Sequence, residues 1–309
     1  MRVVVTGGSG FIGSHLVRRL LAEGHMVGVL DDLSTGRREN LTGVERDVAL
    51  FVGDIRDRAA VRRALSGAQA VFHVAALPSV PRSWDDPVTS FGVNALGTSV
   101  VAEEAIAAGA EVLVHSSSSS VYGELHAGTR TEDLEPRPAS PYAMSKFAAE
   151  KLALGHSHQI RVVALRYFNV FGPGQDPESP YAAVIPKFIA DARAGRSVTI
   201  HGDGRQVRDF TYVENVVDAN LLALRTEAGG QAINIGCGVG HELLQLVACL
   251  RDLGLPLRVE HSEPRQGDIR HSVADIALAR RSLGYEPRIG FRDGLSRTVA
   301  DVNEQAASR

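Results

Sequence analysis

The segment "VVVTGGSGFIGSHLVRRLLAEG", residues 3–24, constrains the fold more than any other stretch of the chain. A short run of valines is followed by Gly8, Gly10 and Gly13 in G-x-G-x-x-G spacing, and then by apolar residues at helical intervals. A buried strand must therefore turn tightly into an amphipathic helix. Glycine permits the turn, the close approach of backbone to a pyrophosphate, and the close packing of helix on strand, while the helix N-terminus supplies donors and positive dipole. The next apolar run ends in Asp31 and Asp32, the first of them eighteen residues after Gly13, where a carboxylate meets an adenosine ribose. Two carboxylates there repel a 2′-phosphate and favour NAD over NADP, although Arg37 and Arg38 lie close by in sequence.

The same alternation continues. "RVVVT", "MVGVL", "VALFV", "AVFHVA", "EVLVHS" and "RVVALRY" read as strands buried on both faces, separated by helical patterns. Parallel neighbours need crossovers, and crossovers are right-handed, so the expectation is an α/β chain with a Rossmann-like doubly wound parallel sheet. Residues 1–170 form the expected dinucleotide-binding domain, with one later strand and helix returning to it. Residues 171–309, opening on the Gly/Pro-rich "FGPGQDPESP", form a smaller mixed substrate-binding region.

At 309 residues, 44% hydrophobic and 22% charged, the chain is an ordinary globular protein with ample core. Its net charge of −3 gives no reason to expect a nucleic-acid or membrane partner. No apolar run reaches the roughly 18 residues of a spanning helix, and "MRVVVTGG" breaks into glycine too early for a signal peptide, so a cytoplasmic location is expected. Cys237 and Cys249 read as buried filler, with no disulfide and no metal.

Five serines, Ser116 to Ser120, follow the "EVLVHS" strand and so stand at the carboxyl rim of a parallel sheet, where ligands bind. Downstream, "SPYAMSKFAAEKLAL" is a helix that sets Tyr142 and Lys146 four residues apart on one face. A phenol with an ordinary pKa of about 10 is a poor base at neutral pH, but an ammonium and an oxidised nicotinamide beside it favour phenolate. In "VGDIRD", Asp54 and Ile55 suit an adenine held by a carboxylate and an apolar wall, or equally a turn and a helix cap.

The glycine turn, "DIRD", "VFHVAAL", "NALGTS", "SSSSSVYG", "SPYAMSK", "LRYFNVFGPGQ", "GDGRQVRDFTYV" and "RQGDIRHSVAD" resemble, in order and over nearly the whole chain, the extended short-chain dehydrogenases/reductases of the NAD-dependent epimerase/dehydratase group. Within it they are most similar to UDP-glucose and UDP-N-acetylglucosamine 4-epimerases. The resemblance implies a catalytic set of Ser118, Tyr142 and Lys146, in which Lys146 also binds the nicotinamide ribose and lowers the tyrosine pKa. It implies that NAD is held by Gly7, Gly10, Phe11, Ile12, Asp31, Asp32, Ser34, Gly36, Asp54, Ile55, Val74, Ala75, Ala76, Asn94, Ser116, Tyr142, Lys146 and Tyr167. The UDP-sugar would lie against Ser79, Ser118, Tyr142, Asn169, Ala183, Val184, Arg208, Arg265, Asp268 and Ser272. Related 4,6-dehydratases carry Thr-Asp-Glu where this chain has Ser118, Ser119 and Ser120, and decarboxylating relatives carry Glu at the last of these, which disfavours both reactions.

Ser272 stands where glucose/galactose-restricted epimerases have a bulky Tyr, so a 2-acetamido group should fit; Ala183 stands where many galactose epimerases have Asn. UDP-glucuronate is less favoured, because glucuronate 4-epimerases usually carry Thr at Asn169 and Arg at Asp176, and an acid repels that substrate. A nucleotide-sugar reductase and a non-catalytic NAD-binding regulator remain alternatives. Relatives pair helices equivalent to residues 87–107 and 142–156 across a dimer axis, and Ala148 and Ala149 permit close packing, so a homodimer is expected by analogy.

Overall fold

The structure, a computed structural model, describes residues 1–124, 128–179, 182–264 and 269–307. Six strands of the first half are β1 (Arg2–Thr6), β2 (Met26–Asp31), β3 (Val48–Val52), β4 (Ala70–His73), β5 (Val112–Ser118) and β6 (Arg161–Tyr167). Between them run α1 (Phe11–Ala22), α2 (Arg58–Leu65), α3 (Val80–Asp85), α4 (Pro87–Phe91), α5 (Gly97–Ala107) and α6 (Pro141–Gly155). The second half holds β7 (Val170–Phe171), α7 (Val184–Arg193), β8 (Ser197–His201), β9 (Val207–Arg208), β10 (Thr211–Tyr212), α8 (Val213–Arg225) and β11 (Gln231–Ile235). It ends with β12 (His241–Glu242), α9 (Leu243–Asp252), β13 (Arg258–Ser262), β14 (His271–Ser272), α10 (Ala277–Leu283) and α11 (Phe291–Ala307).

A seven-stranded sheet of order β11-β6-β5-β4-β1-β2-β3 is parallel throughout. The order reverses between β1 and β4, and that crevice is the place for a ligand in such a sheet. Alternation along each strand sorts the core: Val3 and Val5 of β1 pack with Leu16 and Val17 of α1 and Val216 of α8, whereas Val4 packs with Val61 and Leu65 of α2 and Val101 of α5. The edge strand β3 is the least buried, with Val52 exposed, whereas the inner strand β4 is buried throughout. The strand β11 completes the other edge, paired with β6 from Gln231↔Val163 to Ile235↔Tyr167.

A second core gathers Phe171, Phe210, Phe291, Leu246 and Leu250 around the short sheets β10-β7, β12-β9-β14 and β13-β8. Phe210 and Phe291 stack with centroids 5.3 Å apart. Among the described residues no helix is long and apolar enough to cross a membrane.

Candidate active site

The turn after β1 needs a fourth glycine beyond the spaced three. Gly7 has φ +71, and a Cβ on it would lie 2.7 Å from the Ala75 backbone. Its carbonyl accepts from Gly10 N at 3.1 Å, and a Cβ on Gly13 would come within 2.0 Å of that same oxygen. Gly8 instead lets the turn settle onto Val29, where a Cβ would meet the side chain at 2.8 Å. Such a bare backbone concavity at the start of α1 fits a pyrophosphate.

Asp31 and Asp32 divide their work. Asp31 is buried; its Oδ2 accepts from Ser9 N and its Oδ1 from Leu33 N, each at 2.9 Å, so it holds the glycine turn against the end of β2. Burial raises its pKa, and those two backbone donors oppose the rise. Gly36 passes so close that a Cβ would lie 2.7 Å from Oδ1. Asp32 is exposed and collects Ser34 N at 3.0 Å and Ser34 Oγ at 2.7 Å. Arg37 does not wait for a phosphate: its guanidinium meets Asp176 at 2.6 Å, joining the loop after β2 to the loop after β7. Asp54 is clasped by Arg56 at 2.6 Å, which holds its carboxyl below the usual range, while Ile55 is buried against Gly97. Asp57 caps α2, accepting from Ala59 N at 2.9 Å.

Among the described residues, the non-glycine positions with positive φ are Leu33 (60°) and Ser79 (105°). Both sit in loops at the carboxyl ends of strands, where strain of roughly 1–3 kcal/mol per residue tends to be retained for function.

The five serines do not all stand at the rim. Strand β5 runs on to Ser118, which buries Ser116 and Ser117 inside the sheet. Ser116 donates to Tyr167 Oη at 3.0 Å, and Ser117, on the opposite face, donates to Glu150 at 2.7 Å. Ser118 caps a 3₁₀ turn over Ser119–Tyr122, accepting from Ser120 N at 3.1 Å. Ser118 also lies near enough to the Tyr142 phenol to lower its pKa, so strand and helix bring together two of the three residues of the expected set.

Helix α6 begins where Ser140 Oγ accepts from Ala143 N at 3.1 Å and Pro141 fills the first helical position. Tyr142 N donates to Ser83 Oγ of α3 at 2.9 Å. Burial pushes the Tyr142 phenol above its ordinary value, and the Ser118 hydrogen bond opposes that push. Lys146, one turn on, is 3% exposed and donates to the Ser116 carbonyl. Burial brings its pKa down to about 8, with the Glu150 carboxylate pulling the other way. The direct counterweight to burial at the phenol is thus Ser118.

Beneath them lies an ion pair that the motif reading overlooks. Glu150 and Arg166 have side chains 0% and 4% exposed and meet through two bonds, at 2.7 and 2.9 Å. Arg166 also donates to Tyr122 Oη at 2.8 Å, and Tyr122 donates to Asn234 at 2.7 Å. An arginine within the apolar strand "RVVALRY" is the signal that exposes it, since such a charge is buried only when paired. Asn94 is buried, and its amide bonds the Leu77 backbone (2.7 and 3.1 Å) and Ser145 Oγ (2.9 Å). The Tyr167 hydroxyl accepts from Ser116 and donates to Asn220 Oδ1, each at 3.0 Å.

On the other side of the crevice, Arg208 of β9 lies directly across from buried Ser272 of β14. Asp209 accepts from the Cys237, Gly238 and Ala274 backbone, stapling this corner. Asn169 and Ala183 are exposed, and Val184 opens α7. Arg265 and Asp268 lie outside the described residues. Phe11 and Ile12 open α1, and Val74, Ala75 and Ala76 follow β4 beside the glycine turn.

A model of the NAD dependent epimerase/dehydratase family matches residues 3–236. The chain belongs to that family. Over 311 residues it is 42% identical to the UDP-glucose 4-epimerase of Mycolicibacterium smegmatis, with 97% of each chain covered. The crystal structure of the Thermotoga maritima UDP-glucose 4-epimerase with UDP-glucose is similar at a TM-score of 0.94 and 36% identity, covering 99% of this chain and 100% of that one. A UDP-N-acetylglucosamine 4-epimerase from Methanobrevibacter ruminantium, solved in complex with UDP-N-acetylmuramic acid, gives 0.93 and 37%, over 98% of each chain. As a member of this epimerase/dehydratase family the protein is an NAD-dependent enzyme.

Proposed function

We propose that the protein inverts the C4 hydroxyl of UDP-hexoses through a transient 4-keto sugar. The observation that carries this reading is the meeting of Ser118, at the end of β5, with the helix face of α6 that bears Tyr142 and Lys146, at a rim where Ser119 and Ser120 replace an acid-base carboxylate pair. Tyr142, as phenolate, takes the proton of the sugar 4-hydroxyl, and Ser118 donates to the oxygen that becomes the ketone. NAD, when bound, would supply the reversible hydride acceptor. The turn Gly7–Gly13 would hold its pyrophosphate, Asp31 and Asp32 would meet its adenosine, and Lys146 would bind the nicotinamide ribose. Asn169, Arg208 and Arg265 anchor the diphosphate of the substrate while the sugar turns over, so that Tyr142 returns the proton with the opposite face presented, and Asp268 is a further substrate-binding residue.

Ser272, small and opposite Arg208, leaves room for a 2-acetamido group, in keeping with the relative solved with UDP-N-acetylmuramic acid. Asp176 stands where glucuronate epimerases usually carry Arg, so that position offers no cation to the substrate carboxylate, which disfavours UDP-glucuronate. An apolar surface of Val88 (81% exposed), Leu96 (59%), Met144 (48%) and Leu152 (38%) on α4, α6 and the turn between α4 and α5 supports a homodimer.

The test is an NMR assay of purified protein, without added cofactor, against UDP-glucose, UDP-galactose, both N-acetyl forms and UDP-glucuronate. Inversion at C4 with NAD released only on denaturation is expected. A strict requirement for stoichiometric reduced cofactor points to a reductase instead.

A further inference from the structure

His73 ends β4 with 1% exposure, after the wholly apolar Ala70, Val71 and Phe72. An imidazole there is costly unless both nitrogens are used. Both are: Nδ1 lies 2.7 Å from Thr6 Oγ1 and Nε2 lies 2.8 Å from Thr98 Oγ1. The proton positions follow from counting donors. Thr98 Oγ1 donates to the Asn94 carbonyl at 2.6 Å, an oxygen that can only accept, so the Thr98 oxygen receives the Nε2 proton. Thr6 Oγ1, which accepts from Ala75 N at 3.3 Å, then donates to Nδ1. The reverse tautomer would deprive both the Thr6 proton and the Asn94 carbonyl of these partners.

The chain continues to the catalytic helix. Asn94 lies in a π turn, Gly92–Leu96, where Gly97 N bonds Gly92 O and the helical ladder slips by one residue. Its amide grips Leu77 and donates to Ser145, and Ser145 donates to the Tyr142 carbonyl at 2.8 Å. We propose that His73 is a positioning residue: as the neutral Nε2–H tautomer between Thr6 and Thr98, it ties the glycine strand to the π turn, and so sets the spacing between segment 74–77 and the helix carrying Tyr142 and Lys146. The kinetic part rests on the epimerase reading; the hydrogen-bond chain does not.

The test uses the NAD-loaded enzyme. His73→Asn keeps a partner for Thr6 but falls short of Thr98, and Thr98→Val removes the hydroxyl from the other side. Each should lower kcat about tenfold to a hundredfold, the scale of a small misplacement of reacting groups, with KM for the UDP-sugar little changed. Thr98→Ser should restore kcat, and the double variant His73→Asn/Thr98→Val should be no worse than either single one. Unchanged kcat in folded Thr98→Val, failure of Thr98→Ser to rescue, or additive losses would overturn the proposal. Independently of any substrate, long-range ¹⁵N–¹H spectra of the wild-type enzyme should show His73 as Nε2–H at neutral pH; an Nδ1–H or doubly protonated ring refutes it. Wild-type protein inert towards every UDP-sugar would sink the functional reading alone, and the spectrum would still decide the chain.

Discussion

Glu150→Gln tests whether the buried ion pair beneath the serine rim supports both stability and chemistry. The change is nearly isosteric, so packing is preserved and the loss is electrostatic. It leaves the Arg166 guanidinium, 4% exposed, without the carboxylate that contributes two short hydrogen bonds. Removing one partner of such a pair costs about 3–5 kcal/mol, because the surviving charge stays buried and uncompensated. With an unfolding entropy of about 2.1 cal/mol/K per residue, the 309-residue chain should lose roughly 5–8 °C in Tm. Activity should respond as well, since Glu150 opposes the burial that holds Lys146 at about 8. Without it the ammonium loses its proton at lower pH, and the alkaline limb of kcat moves down. Replacing both partners, Glu150→Leu with Arg166→Met, should recover part of the stability but not the pH profile. Calorimetry of the NAD-loaded enzyme and a kcat–pH series decide the matter. A Tm within about 2 °C of the parent together with an unmoved alkaline limb would refute the reasoning.

Gly13→Ala forces a Cβ to within 2.0 Å of the Gly7 carbonyl, so bound NAD, measured after denaturing release, should fall at least about tenfold, the equivalent of about 1.4 kcal/mol. Gly10→Ala, whose nearest atom would be that same oxygen at 3.2 Å, should lose less. Burial holds His73 near 3, against an ordinary 6.5, so the folded ring stays neutral while the unfolded chain takes up a proton below 6.5. Stability should therefore fall as pH drops through that window, by at most about 5 kcal/mol from this group, and His73→Gln should flatten the acid limb of urea-unfolding free energies. Burial also pushes the Cys237 thiol up to about 12, so thiol reagents at pH 8 should label it only after unfolding, as peptide mapping would show.

Much of the fold is legible because it is periodic. Six apolar runs, short and β-branched, become six parallel strands within a residue or two of where their composition places them. The Tyr142–Lys146 spacing is a helix-face argument, and helix α6 supplies the face. What stays hidden is contact between segments far apart in sequence. Nothing local to Arg37 says that it meets Asp176, 139 positions away, rather than a phosphate. The serine run is an intermediate case. Strand alternation sends Ser117 to the face opposite Ser116 and Ser118, and the third turn of the stripe Tyr142, Lys146, Glu150 provides its acceptor; both signals are in the sequence once the strand is extended to Ser118. The local motif around Asn94 does not reveal its partners Leu77 and Ser145, which come from two other elements.

The central claim is that Tyr142 exchanges a proton with the sugar 4-hydroxyl while Ser118 holds the same oxygen. Its most direct test is Tyr142→Phe, purified with its NAD and followed by proton NMR on UDP-glucose and UDP-N-acetylglucosamine. The account predicts a folded protein with parental NAD content and conversion reduced by at least about a hundredfold, the lower end of what a positioned general base contributes. Near-parental conversion by that variant would contradict it.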